Sequence, residues 1–321
     1  MSAYRSCFSY LIENFVAYRK ASGSWNESCY GLNLRLFDRY CAQNYPDSPA
    51  LSQEMVDAWC AKRDTETNRS CETRRNVIRA FLAYLRERGL VDAVPPKKLR
   101  AEPRNYVPHA FSDNELERFF QECDSIHPYL GRRQSVIRKI TIPVFFRLLY
   151  STGMRTTEAR LLRRDDVDLE SGIINIRKSK GYDQHYVVMH DTMAAAMARY
   201  DEAADRLQPD REYFFQSDKG GCYSRDWVQD NFRLLWETAN GTKGAVAYAL
   251  RHHYAVTNIN SWTDDSFGFC DRLQYLSKSM GHRSIEATRY YYSIVPRLSD
   301  TLAEKTEKGF NAIIPEVPDE E

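Results

Sequence analysis

Residues 94–108 read VPPKKLRAEPRNYVP, and no regular element can pass through them. Proline fixes its own φ and lacks the amide that helices and sheet ladders need, and four prolines stand in this stretch. It has no apolar period, and Lys97, Lys98, Arg100 and Arg104 outweigh Glu102. Such a segment is a linker, so the chain folds as separate bodies on either side of it. The boundaries that follow are a helical unit over 1–94, a linker over 95–110, a second domain over 111–300 and an acidic tail over 301–321. The linker's charge, Lys97 and Lys98 above all, suits a segment lying along a phosphate backbone; a solvated linker fits it equally.

Before the linker the apolar spacing is helical throughout. Tyr4, Phe8, Leu11, Ile12 and Phe15 form one stripe. Asn26 or Ser28 opens a second helix carrying Leu32, Leu36 and Phe37, and Ser52 caps a third with Val56 and Trp59. A fourth, near 74–88, carries Val77, Ile78, Phe81, Leu82 and Leu85 and stops at Gly89. Four short amphipathic helices bury their stripes on one another as a bundle. Arg74, Arg75 and Arg79 on the last of them either face a polyanion such as DNA or form a solvated basic face.

Beyond the linker, the sequence S-D-N-E at 112–115 is a capping box before an apolar helix. A second apolar stretch over 136–150 ends at Thr152 and Gly153. Residues 172–176 and 186–189 read as two strands of a hairpin whose polar loop holds Lys178, Lys180 and Gly181. Helices resume from Thr192, from Ser224 and from about Ala245, and residues 260–268 read as an inserted helix–helix connection. The fold class is therefore mainly α: a four-helix bundle, then a mixed α/β domain with a small antiparallel sheet.

With 45 Lys+Arg against 44 Asp+Glu, the net charge of +1 excludes a uniformly basic polyanion binder, but not one with its positive charge sorted onto one face. Eight scattered cysteines show neither C-x-x-C nor zinc spacing, which fits thiols serving as small core residues in a reducing cytoplasm. No apolar run reaches membrane-span length, and the start MSAYRSCFSYLIENF lacks the basic n-region of a secretion signal.

Three patterns carry chemistry, in this order: T-G-M-R-T-T-E at 152–158, Y-A-L-R-H-H at 248–253, and G-H-R-S-I-E-A-T-R-Y-Y-Y at 281–292. Arg155, Arg251, His282 and one tyrosine in a single pocket would handle a phosphate without a metal or a cofactor. Guanidinium forks match phosphate oxygens and stay charged, and they stabilise the extra charge of a pentacoordinate transition state. A phenol serves as covalent nucleophile if nearby cations or a base activate it, since its ordinary pKa is about 10. A hairpin lysine can protonate the leaving alkoxide. Arg251 lies in the apolar stretch 246–256, where an arginine is tolerated only when paired.

These three segments resemble the catalytic domain of the tyrosine recombinase (phage integrase) family, whose motifs run T-G-[LM]-R-x-x-E, H-x-L-R-H and L-G-H-x-S-x-x-x-T-x-x-Y. Matched here are residues 152–158; Leu250, Arg251 and His252; and Gly281, His282, Ser284, Thr288 and Tyr291. The bundle resembles the family's core-binding domain, and a start directly in that bundle resembles the arm-less type. The resemblance implies that Tyr291 attacks a scissile phosphodiester to give a 3′-phosphotyrosyl link, with Tyr290 and Tyr292 as alternates. It implies that Arg155 and Arg251 hold the phosphate, that His282 hydrogen-bonds it, that Lys180 is the general acid and that Glu158 orients Arg155. The family's first histidine of the second motif is Tyr248 here, a poor general base, and His253 is a spare imidazole nearby. Implied partners are double-stranded DNA with inverted half-sites, a homotetramer on that DNA, and accessory DNA-bending or directionality proteins, with no membrane. The same chemistry would also serve a type IB topoisomerase or telomere resolvase, and Tyr248 leaves open a DNA-binding regulator with an impaired pocket.

Overall fold

The structure is a computed structural model that describes residues 4–100, 108–129, 131–177, 184–262 and 266–292, with Ser266, Phe267 and Tyr292 described by their backbone. Lys178 and Lys180 lie outside the described residues, as does the acidic tail. The chain divides into two compact units, one running to residue 106 and the other from 107.

In the first unit, α1 (Ser9–Ala21), α2 (Leu32–Asn44), α3 (Gln53–Cys60) and α4 (Asn68–Arg86) form the expected bundle. Phe8, Phe15, Phe37, Trp59, Ile78 and Phe81 are among the side chains that fill its core. Ser52 caps α3, accepting from the Met55 amide at 3.3 Å. The expected stripe on α2 is corrected: Leu32 and Leu36 are 48% and 39% exposed, and Leu34, Phe37 and Cys41 point inward. A π-helical turn over Glu27–Gly31, with Asn26 as its cap, precedes α2, and within α2 the spacings of three and four from Leu34 to Phe37 to Cys41 set the inward face.

Arg74 is also corrected. It is not on a surface that could face DNA. It is 5% exposed, donates to the Ala61 carbonyl at 3.0 Å, pairs with Glu66 and lies 5.2 Å over the Trp59 ring. The turn between α3 and α4 supplies two acceptors to its Nη2, one of them an opposite charge, while among the described residues Nε and Nη1 are buried without a hydrogen-bond partner. Arg79 is half-buried, donating to the Pro96 carbonyl and to Glu72, each at 3.0 Å. Glu72 also accepts from the Leu99 amide at 3.1 Å. Residues 96–99, read above as the start of a free linker, are thus strapped along α4. Arg75 is half-buried, and Lys97 and Lys98 are exposed.

The second unit is built from α5 (Asp113–Asp124), α6 (Arg133–Thr152), α7 (Thr156–Arg160), α8 (Asp191–Leu207), α9 (Arg225–Asn240), α10 (Ala249–Ser261), α11 (Ser266–Ser279) and α12 (Glu286–Tyr292). Ser112 and Glu115 close the expected capping box on α5, and Ser224 caps α9. The hairpin strands are β2 (Ile173–Ile176) and β3 (His185–Val188), paired antiparallel with Ile174 opposite Val187. A two-residue strand, β1 (Val167–Asp168), adds to β2 and was not foreseen. Ile174, Ile176 and Val187 point into a core shared with Phe119, Phe145 and Trp236. The expected long connection over 260–268 is corrected as well. Asn260 and Ser261 finish α10, Ser266, Phe267 and Gly268 already belong to α11, and residues 263–265 lie outside the described residues.

Two features place the first motif. Thr152 ends α6, and Gly153 takes the left-handed conformation at φ +63° that closes it. A Cβ there would stand 2.2 Å from the Tyr254 ring, so both backbone and space demand glycine.

Candidate active site

Arg155 stands in extended backbone at the cap position of α7. Glu158, one helical turn on, accepts from the Arg155 amide at 2.7 Å and from its Nη1 at 2.6 Å. Glu158 is 3% exposed, and its buried charge is tolerated because Arg155 balances it. The other end of the Arg155 guanidinium, Nη2, donates to the Gly281 carbonyl at 2.9 Å.

Arg251 reaches the same turn from the first helical turn of α10. It is 2% exposed, as its apolar surroundings in sequence required it to be paired. Its Nη1 donates to the Gly153 carbonyl at 2.7 Å, and its Nη2 to the Met280 carbonyl at 2.6 Å and to His282 Nε2 at 2.9 Å. The two arginines therefore meet at residues 280–282, each holding a consecutive carbonyl of one turn. That turn is shaped by Gly281 at φ +61°, where a Cβ would strike the His185 ring of β3 at 2.5 Å.

His282 also bonds Thr288 through Nδ1 at 2.7 Å. Its ring lies parallel to that of Tyr291, with centroids 5.9 Å apart. Tyr291 is 3% exposed, and burial pushes its phenol above the ordinary value while Arg251 pulls against that. Tyr248 also bears on its hydroxyl, pushing the same way as burial. Tyr290, one of the alternates, is 45% exposed, and the side chain of Tyr292 lies outside the described residues. His252 packs its ring 5.1 Å from Tyr291 and 5.3 Å from Tyr248.

His253 does not join this group. It stacks on Tyr150 and touches Phe111, because one residue along a helix turns a side chain by about 100°. His185 was missed by sequence reasoning, which began the strand one residue later. The signal was present: His185 shares its strand face with buried Val187. A groove of about 690 Å³ opens beside the turn, lined by His185, Tyr186, Tyr275, Lys278 and His282 among others. Among the described residues no group of His, Cys, Asp and Glu could hold a metal ion, and no helix is long and apolar enough to cross a membrane.

Burial, with Arg251 beside them, lowers His252 to about 4 and His282 to about 3, Arg155 adding to the effect on His282. Both imidazoles are neutral in the folded protein at neutral pH. Once the pH falls below the ordinary 6.5, the unfolded chain takes up protons that these two rings refuse until about pH 4 and 3. Stability is therefore expected to fall on acidification across that window. Urea midpoints measured at intervals through it check this, and replacing His252 by Gln should flatten the slope.

Comparison with solved structures shows the same fold. XerH recombinase bound to its difH substrate in a pre-cleavage complex superposes with a TM-score of 0.60 at 17% identity, over 93% of this chain and 84% of that one. A lambda integrase dimer bound to a COC′ core site gives 0.59 at 13%, over 88% and 94%. In sequence, the integrase/recombinase y4rE of Sinorhizobium fredii is 29% identical over 318 residues, 97% of this chain and 98% of that protein. Tyrosine recombinase XerC of Oceanobacillus iheyensis is 25% identical over 231 residues, 70% of each chain. A helical domain with a small antiparallel sheet, in which two arginines and a histidine converge beside a tyrosine, defines a tyrosine-dependent strand transferase. The phage integrase family matches residues 110–296, and the chain belongs to that family, the tyrosine recombinases.

Proposed function

We propose that this protein is a site-specific recombinase that cuts and rejoins double-stranded DNA through Tyr291. The observation that carries the reading is the convergence of Arg155 and Arg251, 96 residues apart in sequence, on the turn next to that buried phenol. The two guanidiniums clamp the non-bridging oxygens of the scissile phosphate. The Tyr291 oxygen attacks phosphorus, its proton leaves to solvent or a basic neighbour, and the P–O5′ bond breaks. Lys180 protonates the leaving 5′ oxygen. The 5′-hydroxyl of a partner strand then reverses these steps and frees Tyr291. The phosphotyrosyl bond conserves the energy of the phosphodiester, so rejoining needs no nucleotide hydrolysis.

Tyr248 contributes a hydrogen bond near the Tyr291 hydroxyl instead of a base. In this reading Lys97, Lys98 and Arg75 contact the DNA backbone from the first unit, and Arg79 holds residues 96–99 in place for that contact. The functional form is a homotetramer on inverted half-sites, assisted by DNA-bending or directionality proteins, in the cytoplasm.

The test is a nicked duplex made from the DNA flanking the gene, built so that the released 5′ fragment diffuses away. The expected result is a covalent protein–DNA adduct on a denaturing gel, linked at Tyr291 by peptide mass. Binding without adduct would make the chain a regulator, and relaxation of supercoils without strand exchange would make it a topoisomerase.

A further inference from the structure

The hydrogen bonds around His282 fix its tautomer. A guanidinium only donates, so Arg251 Nη2, at 2.9 Å, makes His282 Nε2 an acceptor. A neutral imidazole has one N–H, which must then be on Nδ1, and Nδ1 donates to Thr288 Oγ1 at 2.7 Å. Thr288 is fully buried on α12, three residues before Tyr291. In this state His282 presents a lone pair toward Arg251. A phosphate oxygen that takes the Arg251 N–H for itself would face that lone pair, acceptor against acceptor. A proton on Nε2 turns the encounter into a hydrogen bond.

The partner on Nδ1 decides whether that exchange is cheap. A carbonyl accepts only and would pin the proton on Nδ1, and a carboxylate would hold the ring as imidazolium. A hydroxyl does both: it accepts from Nδ1–H, or turns about its C–O bond and donates to a bare Nδ1. We infer that Thr288 is a positioning residue whose hydroxyl lets His282 change tautomer when a phosphodiester enters, so that Nε2–H meets the phosphate. The ring carries one proton before and after: the Nδ1–H bond breaks, an Nε2–H bond forms, and the proton exchanges through solvent in the groove that His282 lines. No charge is added beside the two arginines. The phosphodiester step rests on the recombinase reading; the DNA-free arrangement stands on the hydrogen bonds alone.

Valine and serine variants of the full chain separate hydroxyl from shape. Thr288→Val keeps the volume and removes the hydroxyl; its adduct formation should slow about 10- to 100-fold, the usual loss when an imidazole loses its orienting partner. Its DNA affinity should stay near the parent's; its melting temperature should fall, because Nδ1–H is left buried without an acceptor, so cleavage is compared well below it. Thr288→Ser should cleave at close to the parent's rate. Nitrogen NMR of histidine-labelled protein should place the His282 proton on Nδ1 without DNA and on Nε2 with it, and in Thr288→Val the Nδ1–H should stay but lose its hydrogen-bonded shift. Undiminished cleavage by the valine variant, a serine variant as slow as valine, or one unchanged tautomer in both states would overturn the inference. If the parent forms no adduct with any DNA, the recombinase reading fails and the tautomer change with it, and the DNA-free spectra of parent and valine variant still decide whether Thr288 accepts from Nδ1–H.

Discussion

Tyr291→Phe is expected to abolish covalent capture of nicked DNA, a loss of at least about 10⁴-fold, because it removes the one atom that bonds to phosphorus. The substitution deletes a hydroxyl and leaves the ring that packs on His282 and His252. Its folding cost should be that of one lost hydrogen bond, about 1 kcal/mol, so the variant should still bind DNA and give a sharp thermal transition. Tyr290→Phe should keep its activity, since Tyr290 is 45% exposed and Tyr291 is the tyrosine held beside Arg251. An adduct that survives in Tyr291→Phe would move the nucleophile to another side chain. Because burial raises the phenol, parental cleavage should also quicken with pH through the mildly alkaline range, as more of the attacking phenolate forms.

Arg251→Lys is expected to cost about 10³-fold in cleavage with little change in DNA affinity. Arg251 serves two carbonyls and one imidazole at once, from two nitrogens set at a fixed angle. A lysine ammonium has three donors on one atom and cannot reach Gly153 and Met280 together. One carbonyl is then left buried without a donor, which costs about 1–3 kcal/mol of stability. The two effects are separable. Single-turnover cleavage measured well below the melting temperature reports the phosphate clamp, and a denaturant titration reports the turn. Cleavage at the parental rate would remove Arg251 from the reaction and leave it a structural tie between α6, α10 and the turn.

Much of the fold was legible because its signals are local. Ser52, Ser112 and Ser224 cap helices where a side-chain oxygen followed by an apolar period says they should. Gly153 sits at the left-handed end of α6, and the hairpin alternates as its sequence does. The errors share a different cause. Leu32 and Leu36 were grouped with Phe37 as one stripe, whereas in α2 the inward face runs through Leu34, Phe37 and Cys41 at spacings of three and four. Arg74 was placed outward because nothing in its own helix announces Glu66 and the Ala61 carbonyl, which come from the preceding turn. Residues 96–99 were read as free because their ties to α4 run through single side chains, Arg79 and Glu72, with no periodic signature.

By itself the sequence determined the helices, the hairpin and Arg155, Arg251, His282 and a run of three tyrosines as candidates, since caps, periods and motif spacings are relations between near neighbours. Tertiary structure alone decided that Tyr291 is buried beside an arginine while Tyr290 is exposed, that His253 faces away, and that His185 closes against Gly281. It also set the proton on His282. The physical reason is separation along the chain: Arg155 finds its carbonyl 126 residues away and Arg251 finds one 98 residues away, and no local pattern encodes a hydrogen bond whose two halves meet only when the domain is folded.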